Sequence, residues 1–117
     1  MITFTDEYGN TWDLAITMDH YRNNDNLYLG LVVAEDSYND EGDIDTYRGE
    51  PYADLSVNID PLPENCIAVN IEYSNSALDI IEENNLGTFT GYYMFSGYMQ
   101  FPVFQMDMNE VRKHLVQ

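Results

Sequence analysis

Lysine is almost missing from this chain: Lys113 stands alone, and Arg22, Arg48 and Arg112 complete the permanent cations. A protein that grips DNA, RNA or an anionic membrane does so through Lys and Arg in number, so direct nucleic-acid and membrane binding are excluded. Cysteine is equally scarce. Cys66 has no second thiol to pair with inside the chain, and between neighbours such as Ile67 and Val69 it reads as a small buried residue. Only His20 and His114 are available as bases for a nucleophile, one in a loop beside Asp19 and one at a helix end, and neither belongs to a motif. There is no glycine-rich phosphate loop, and no apolar run of membrane-spanning length. The first residues, MITFTDEYGN, lack the basic segment and the apolar run of a signal peptide, so the expected compartment is the cytoplasm.

What is present is acid. Asp and Glu number 21 against 4 Lys and Arg, for a formal net charge of −17 on 117 residues. Hydrophobic residues nevertheless make up 44% of the chain and aromatics 14%, more than a disordered acidic chain carries. Length and composition together predict one folded acidic domain over 1–117, because no Pro/Gly/Ser-rich linker divides it. The 12 Asn, 10 Tyr, 8 Ile and 5 Phe are residue types favoured by A/T-rich codons, which normally bring Lys with them. The loss of Lys runs against that trend and points to selection on charge. A salt-adapted surface, the bland explanation, sits poorly with so much Asn, Ile and Tyr.

Periodicity predicts an α+β domain: a mostly antiparallel sheet of about five to six strands with two short helices in the C-terminal half, packed on one face. Residues 2–5 and 11–18 read as a hairpin around DEYGN, with Trp12, Leu14, Ile16 and Met18 sharing a face. The polar loop DHYRNNDN leads to 27–34, apolar almost throughout, as in a central strand covered on both sides. After the acidic connection 35–50, residues 51–59 alternate like a single strand with Ala53, Leu55, Val57 and Ile59 buried. CIAVNI (66–71) reads as a further strand. A helix is expected over 76–86, opened by a capping box of Ser76 and Asp79 and ended by Gly87. TFTGYYMFSGY reads as a connection to a last strand, 98–106, in which Pro102 suggests an edge or a bulge. Asp107 and Glu110 cap a final helix, whose Arg112 and Lys113 suit its negative end.

No catalytic constellation survives inspection, so an enzyme is not expected, and no cofactor or metal site is. Paired carboxylates, including those a glycosidase would use, can be drawn anywhere in so acidic a chain and carry no information. Ser37–Arg48 can be laid on the helix–loop–helix calcium pattern with Gly42 sixth, but then Ser37 stands first and Arg48 twelfth, where Asp and Glu are required.

The distribution of charge is more informative. Between Arg22 and Arg48 lie Asp25, Glu35, Asp36, Asp40, Glu41, Asp43 and Asp45 with no cation, and Tyr38 and Tyr47 are interleaved. Same-face residues on a strand lie about 6.6 Å apart, near the spacing of successive phosphates along a nucleic-acid strand. Tyrosines could supply the stacking that bases would make.

The segments GEPYADLSVNI (49–59), LPENCIAVN (62–70), NNLGTFTG (84–91) and SGYMQFPVFQMD (96–107) resemble a family of small acidic proteins of unknown function carried on conjugative and other mobile elements of Gram-positive bacteria. The resemblance covers about 27–112 and rests on strand and turn patterns, so it implies a shared fold and a mobile-element setting rather than a reaction. Against that family pattern, EDSYNDEGDIDTYR (35–48) looks like an acidic elaboration on the scaffold. Mobile elements carry acidic inhibitors of host defence, among them anti-CRISPR proteins that mimic DNA.

The expected function is therefore a non-enzymatic inhibitor that occupies a basic DNA/RNA-binding groove of a host defence nuclease, with a CRISPR effector as first guess for the partner. The expected contact residues are Glu35, Asp36, Tyr38, Asp40, Glu41, Asp43, Asp45, Tyr47 and Glu50. The alternatives are an acidic accessory protein that binds a basic relaxase or partition protein, and a cation-dependent binding module.

Overall fold

Turn residues at short intervals and period-two alternation dictate a chain of strands, and a computed structural model, describing residues 1–72 and 74–116, bears this out. In chain order the elements are β1 (Ile2–Thr5), β2 (Thr11–His20), β3 (Leu27–Val33), β4 (Ser37–Tyr38), β5 (Ile44–Thr46), β6 (Pro51–Asp54), β7 (Ser56–Val57), β8 (Cys66–Val69), α1 (Ser76–Glu83), β9 (Gly87–Ser96), β10 (Met99–Met106) and α2 (Met108–Lys113). The strands make two four-stranded sheets, ordered β1-β2-β3-β6 and β7-β8-β10-β9, and a two-stranded hairpin, β4-β5. All the paired strands run antiparallel. The domain is thus sheet-rich α+β with both helices late, but five to six strands was an undercount.

The predicted β1–β2 hairpin forms, with Phe4 opposite Trp12. Asp6 fixes its turn: one carboxylate oxygen accepts the amides of Tyr8 and Asn10, and the other accepts the Trp12 indole N–H at 3.0 Å. Leu14 and Ile16 are fully buried, whereas Met18, opposite Leu29 on β3, is 38% exposed. On β3, Leu27, Leu29, Leu31 and Val33 face inward. The outer face is covered in part by the chain itself: Tyr28 folds over Gly30, where a Cβ would strike the phenol, and donates to Asp54 at 2.8 Å.

Residues 51–59 are not one strand. Leu55 and Ser56 are adjacent and both buried, at the junction between two strands that belong to different sheets. The backbone bends there, leaving β6 in the first sheet and delivering β7 to the second. Leu55 donates its amide to Leu29 O, and the Ser56 hydroxyl accepts the Leu29 amide at 3.1 Å. Asn26, also buried, ties the β2–β3 turn to the chain beyond the bend through Asn58, Asp60 and Leu62.

The Tyr/Gly-rich segment expected to be a connection is β9, a full strand. Its partner β10 lies between β8 and β9, so Pro102 is interior and not at an edge. The irregularity that proline suggested is real: pairing shifts between Pro102 and Phe104. Opposite that shift Gly91 adopts φ +89°, and the Thr90 hydroxyl donates to Val103 O at 2.8 Å.

The capping box expected at Ser76 and Asp79 does not form. Asn75 is the N-cap residue and makes no side-chain bond, and the helix stops at Glu83. Asn85, not Gly87, takes the left-handed conformation beyond it, at φ +53°. In α2 Asp107 does cap, accepting the Asn109 and Glu110 amides. The reciprocal arm is replaced: Asp107 gives its own amide to Leu86 O, and Glu110 pairs with Lys113 at 2.7 Å. The segment after α2 is docked rather than frayed, since Ile16 donates to His114 O and receives the Val116 amide. Both sheets and both helices share one apolar cluster, in which Leu14, Leu31, Ile67, Ile81, Phe104 and Val111 meet.

Candidate functional site

The acidic connection 35–50 is a folded hairpin, and its own polar side chains fold it. Asn39 starts the turn by accepting the Glu41 and Asp43 amides on its side-chain oxygen, each at 3.0 Å. Gly42 then supplies φ +85°, and Asn39 and Asp43 close the ladder through the backbone. At the base Asp36 accepts the Arg48 amide at 2.7 Å, and Glu50 accepts the Tyr47 amide at 2.9 Å. Gly49, at φ +90°, lets the chain turn back so that Val33 exchanges backbone bonds with Gly49 and Glu50.

These bonds divide the nine predicted contact residues. Asp36 and Glu50 are occupied in holding the hairpin. Asp40, Glu41 and Asp43 stand exposed at its tip, with Asp45 exposed on β5. Tyr38 and Tyr47 are 64% and 57% exposed, far more than an aromatic needs for folding. Asp43, Asp45 and Tyr47 occupy alternate positions, which along extended chain recur every ~6.6 Å.

Between the hairpin and β2 runs an open groove of about 410 Å³. It gathers Glu35, Asp36 and Asp45 with Asp13 of β2, and Trp12, Ser37 and Thr46 also line it. Among the described residues, no Lys, Arg or His lines it. Asp13 and Trp12 were not foreseen as site residues, because nothing in their local sequence marks them; only the fold sets them beside residues more than twenty positions on. Among the described residues, no three His, Cys, Asp or Glu side chains are placed to hold a metal ion. A second hollow of about 600 Å³ shares Val33 and Glu35 with the groove, and Arg48 and Lys113 also line it.

The perturbed groups are few. Asp6 titrates below the usual carboxylate range, chiefly because of the Trp12 indole bond. Burial pushes the Cys66 thiol up, away from the thiolate a nucleophile needs, and the thiol rests against Gln105 at 3.2 Å. His20 ends β2 in solvent, and His114 caps α2, so the two histidines and Cys66 sit on separate elements.

Fold and site together describe a sheet-rich α+β domain displaying a folded acidic hairpin beside a carboxylate-lined groove. A family model described as a domain of unknown function (DUF4313) matches residues 15–116, and the chain belongs to that family. No curated protein and no solved structure matches it. Among the described residues, no helix is long and apolar enough to cross a membrane.

Proposed function

We propose that this protein is a non-enzymatic inhibitor that occupies the basic nucleic-acid-binding groove of a host defence nuclease, a CRISPR effector being the first candidate. The observation that carries this reading is the convergence of Asp13, Glu35, Asp36 and Asp45 on one groove without a lining cation, next to a hairpin tip bearing Asp40, Glu41 and Asp43. Like charges gathered on one face cost stability, and a basic partner that neutralises them offsets that cost. A cleft lined with Lys and Arg for phosphates accepts regularly spaced carboxylates by the same electrostatics. Tyr38 and Tyr47 offer the aromatic faces that stacked bases would present. The mobile-element setting that the sequence resemblance implies is consistent with an opponent of this kind, met on this reading in the bacterial cytoplasm.

The test is competition. Purified effector nucleases, loaded with a fluorescent duplex or guide RNA, are titrated with the protein and with a D40N/E41Q/D43N/D45N variant. The protein displaces the nucleic acid, and the variant binds about tenfold or more weakly at low salt with a flatter salt dependence. Inhibition undiminished in the variant overturns the assignment to this hairpin. A ternary complex that retains its nucleic acid points instead to an accessory protein that docks on a basic relaxase or partition protein.

A further inference from the structure

Strand β9 is the outermost strand of the second sheet, so one of its edges has no neighbouring strand among the described residues. Natural edge strands are blunted by shortness, by proline or by charge, above all lysine. β9 uses none of these, being 10 residues long, GTFTGYYMFS, without a proline or a charge; a bulge, which also blunts edges, sits at Gly91, and on either side of it Gly87–Phe89 and Tyr93–Ser96 keep regular pairing with β10. Its aromatic side chains are instead turned outward, with Tyr92 74% and Phe95 62% exposed, and Phe89 and Tyr93 partly so. Phe89 also packs on Phe104 at 5.7 Å and Tyr93 at 5.3 Å between ring centres, so the aromatic row continues from the core to the surface.

The charge map narrows what can sit there. From Asn84 through Met106 no residue carries a formal charge, in a chain whose net charge is −17. A basic partner finds nothing on this strip to pair with and is drawn elsewhere. Two copies of the chain repel wherever their acidic faces meet, and this strip is where they can touch without setting carboxylate against carboxylate. The occupant with matching chemistry, neutral and aromatic with unpaired backbone groups, is the same strip on another molecule.

We propose that the β9 edge is a homodimer interface. The β9 strand of one protomer pairs antiparallel with that of its partner about a two-fold axis, joining two four-stranded sheets into one continuous sheet. Backbone N–H and C=O groups supply the ladder, and the exposed aromatics form cross-strand pairs. The proposal does not depend on the acidic hairpin, whose reading can fail without it.

Sedimentation of the full chain over a concentration series, at low and high NaCl, tests it. The expected result is a reversible dimer that tightens as salt rises, because screening relieves the mutual repulsion. An acid–base complex weakens under the same change. A Tyr92→Glu/Phe95→Glu variant, checked for an unchanged melting curve, dissociates about tenfold or more readily, since each substitution sets like charges across the seam. Tyr92→Phe dimerises as the parent does. A chain that is monomeric at every concentration and salt overturns the proposal, as does a dimer indifferent to the two glutamates; should the double variant fail to fold, the salt series on the parent chain decides.

Discussion

The β4–β5 and β9–β10 hairpins are both antiparallel ribbons, yet opposite chemistry builds them. In the first, polar side chains fold the backbone: Asp36, Asn39 and Glu50 accept main-chain amides, and the apolar contribution is slight. In the second, Phe101, Val103, Phe104 and Met106 are buried, and the polar contribution is a threonine hydroxyl at the bulge. The first displays charge and the second displays rings. A ribbon held by local polar bonds can vary its exposed residues without disturbing the core. A ribbon that is part of the core cannot.

Equivalent damage to the two ribbons separates them most clearly. Gly91 and Gly42 both lie in left-handed conformations, at φ +89° and +85°, with open space where a Cβ would sit. Backbone strain is therefore the whole effect in each, about 1–2 kcal/mol for a non-glycine residue and more for a β-branched one. Gly91→Val strains a strand pinned to Phe104 and Val103, so its cost appears in global urea unfolding as about 2 kcal/mol. Gly42→Val strains a tip outside the core cluster, which can open by itself, so the global midpoint moves by less than about 0.5 kcal/mol. Equal shifts for the two would show that the acidic hairpin folds as one unit with the core.

Within the acidic hairpin the comparison sharpens to two neighbouring acids. Asp36→Ala removes the acceptor of the Arg48 amide and costs about 1 kcal/mol, read as faster hydrogen exchange at that amide. Asp40→Asn removes one exposed charge and changes stability by less than about 0.5 kcal/mol, toward stabilisation at low salt. If Asp36 and Asp40 behave alike, the division into folding acids and display acids is wrong.

That division also marks where the sequence stopped being legible. The β1–β2 hairpin, β3, the burial of Cys66 and the Asp107 cap follow from local patterns that the tertiary structure reinforces. β9 was hidden because two glycines and a run of tyrosines resemble a loop, and only pairing with β10 makes them a strand. The break at Leu55 was invisible because alternation persists through it, while the bend that buries both Leu55 and Ser56 depends on Leu29. The β4–β5 turn did carry a signal, Asn39 three residues before Gly42, obscured by the acids around it. The groove was not legible, because Asp13 reaches the hairpin only through the pairing of β2 with β3.

The smallest effect concerns the turn that supports the groove. Trp12 is the only tryptophan, lines the groove and gives its indole N–H to Asp6, so its fluorescence reports on the acidic side of the molecule. The Asp6 carboxyl titrates below its ordinary value of 3.8, with the indole bond as first cause. A carboxylate lowered by folding contributes stability that is present above the unfolded value and is lost as pH falls through the folded one. Trp12 emission should therefore hold steady from neutrality to about pH 4 and shift only below it. Asp6→Asn should remove that acid step and leave the neutral-pH melting curve of the β9–β10 side intact. A shift centred well above 3.8, or an acid step that survives Asp6→Asn, would show that a group other than Asp6 sets the surroundings of Trp12.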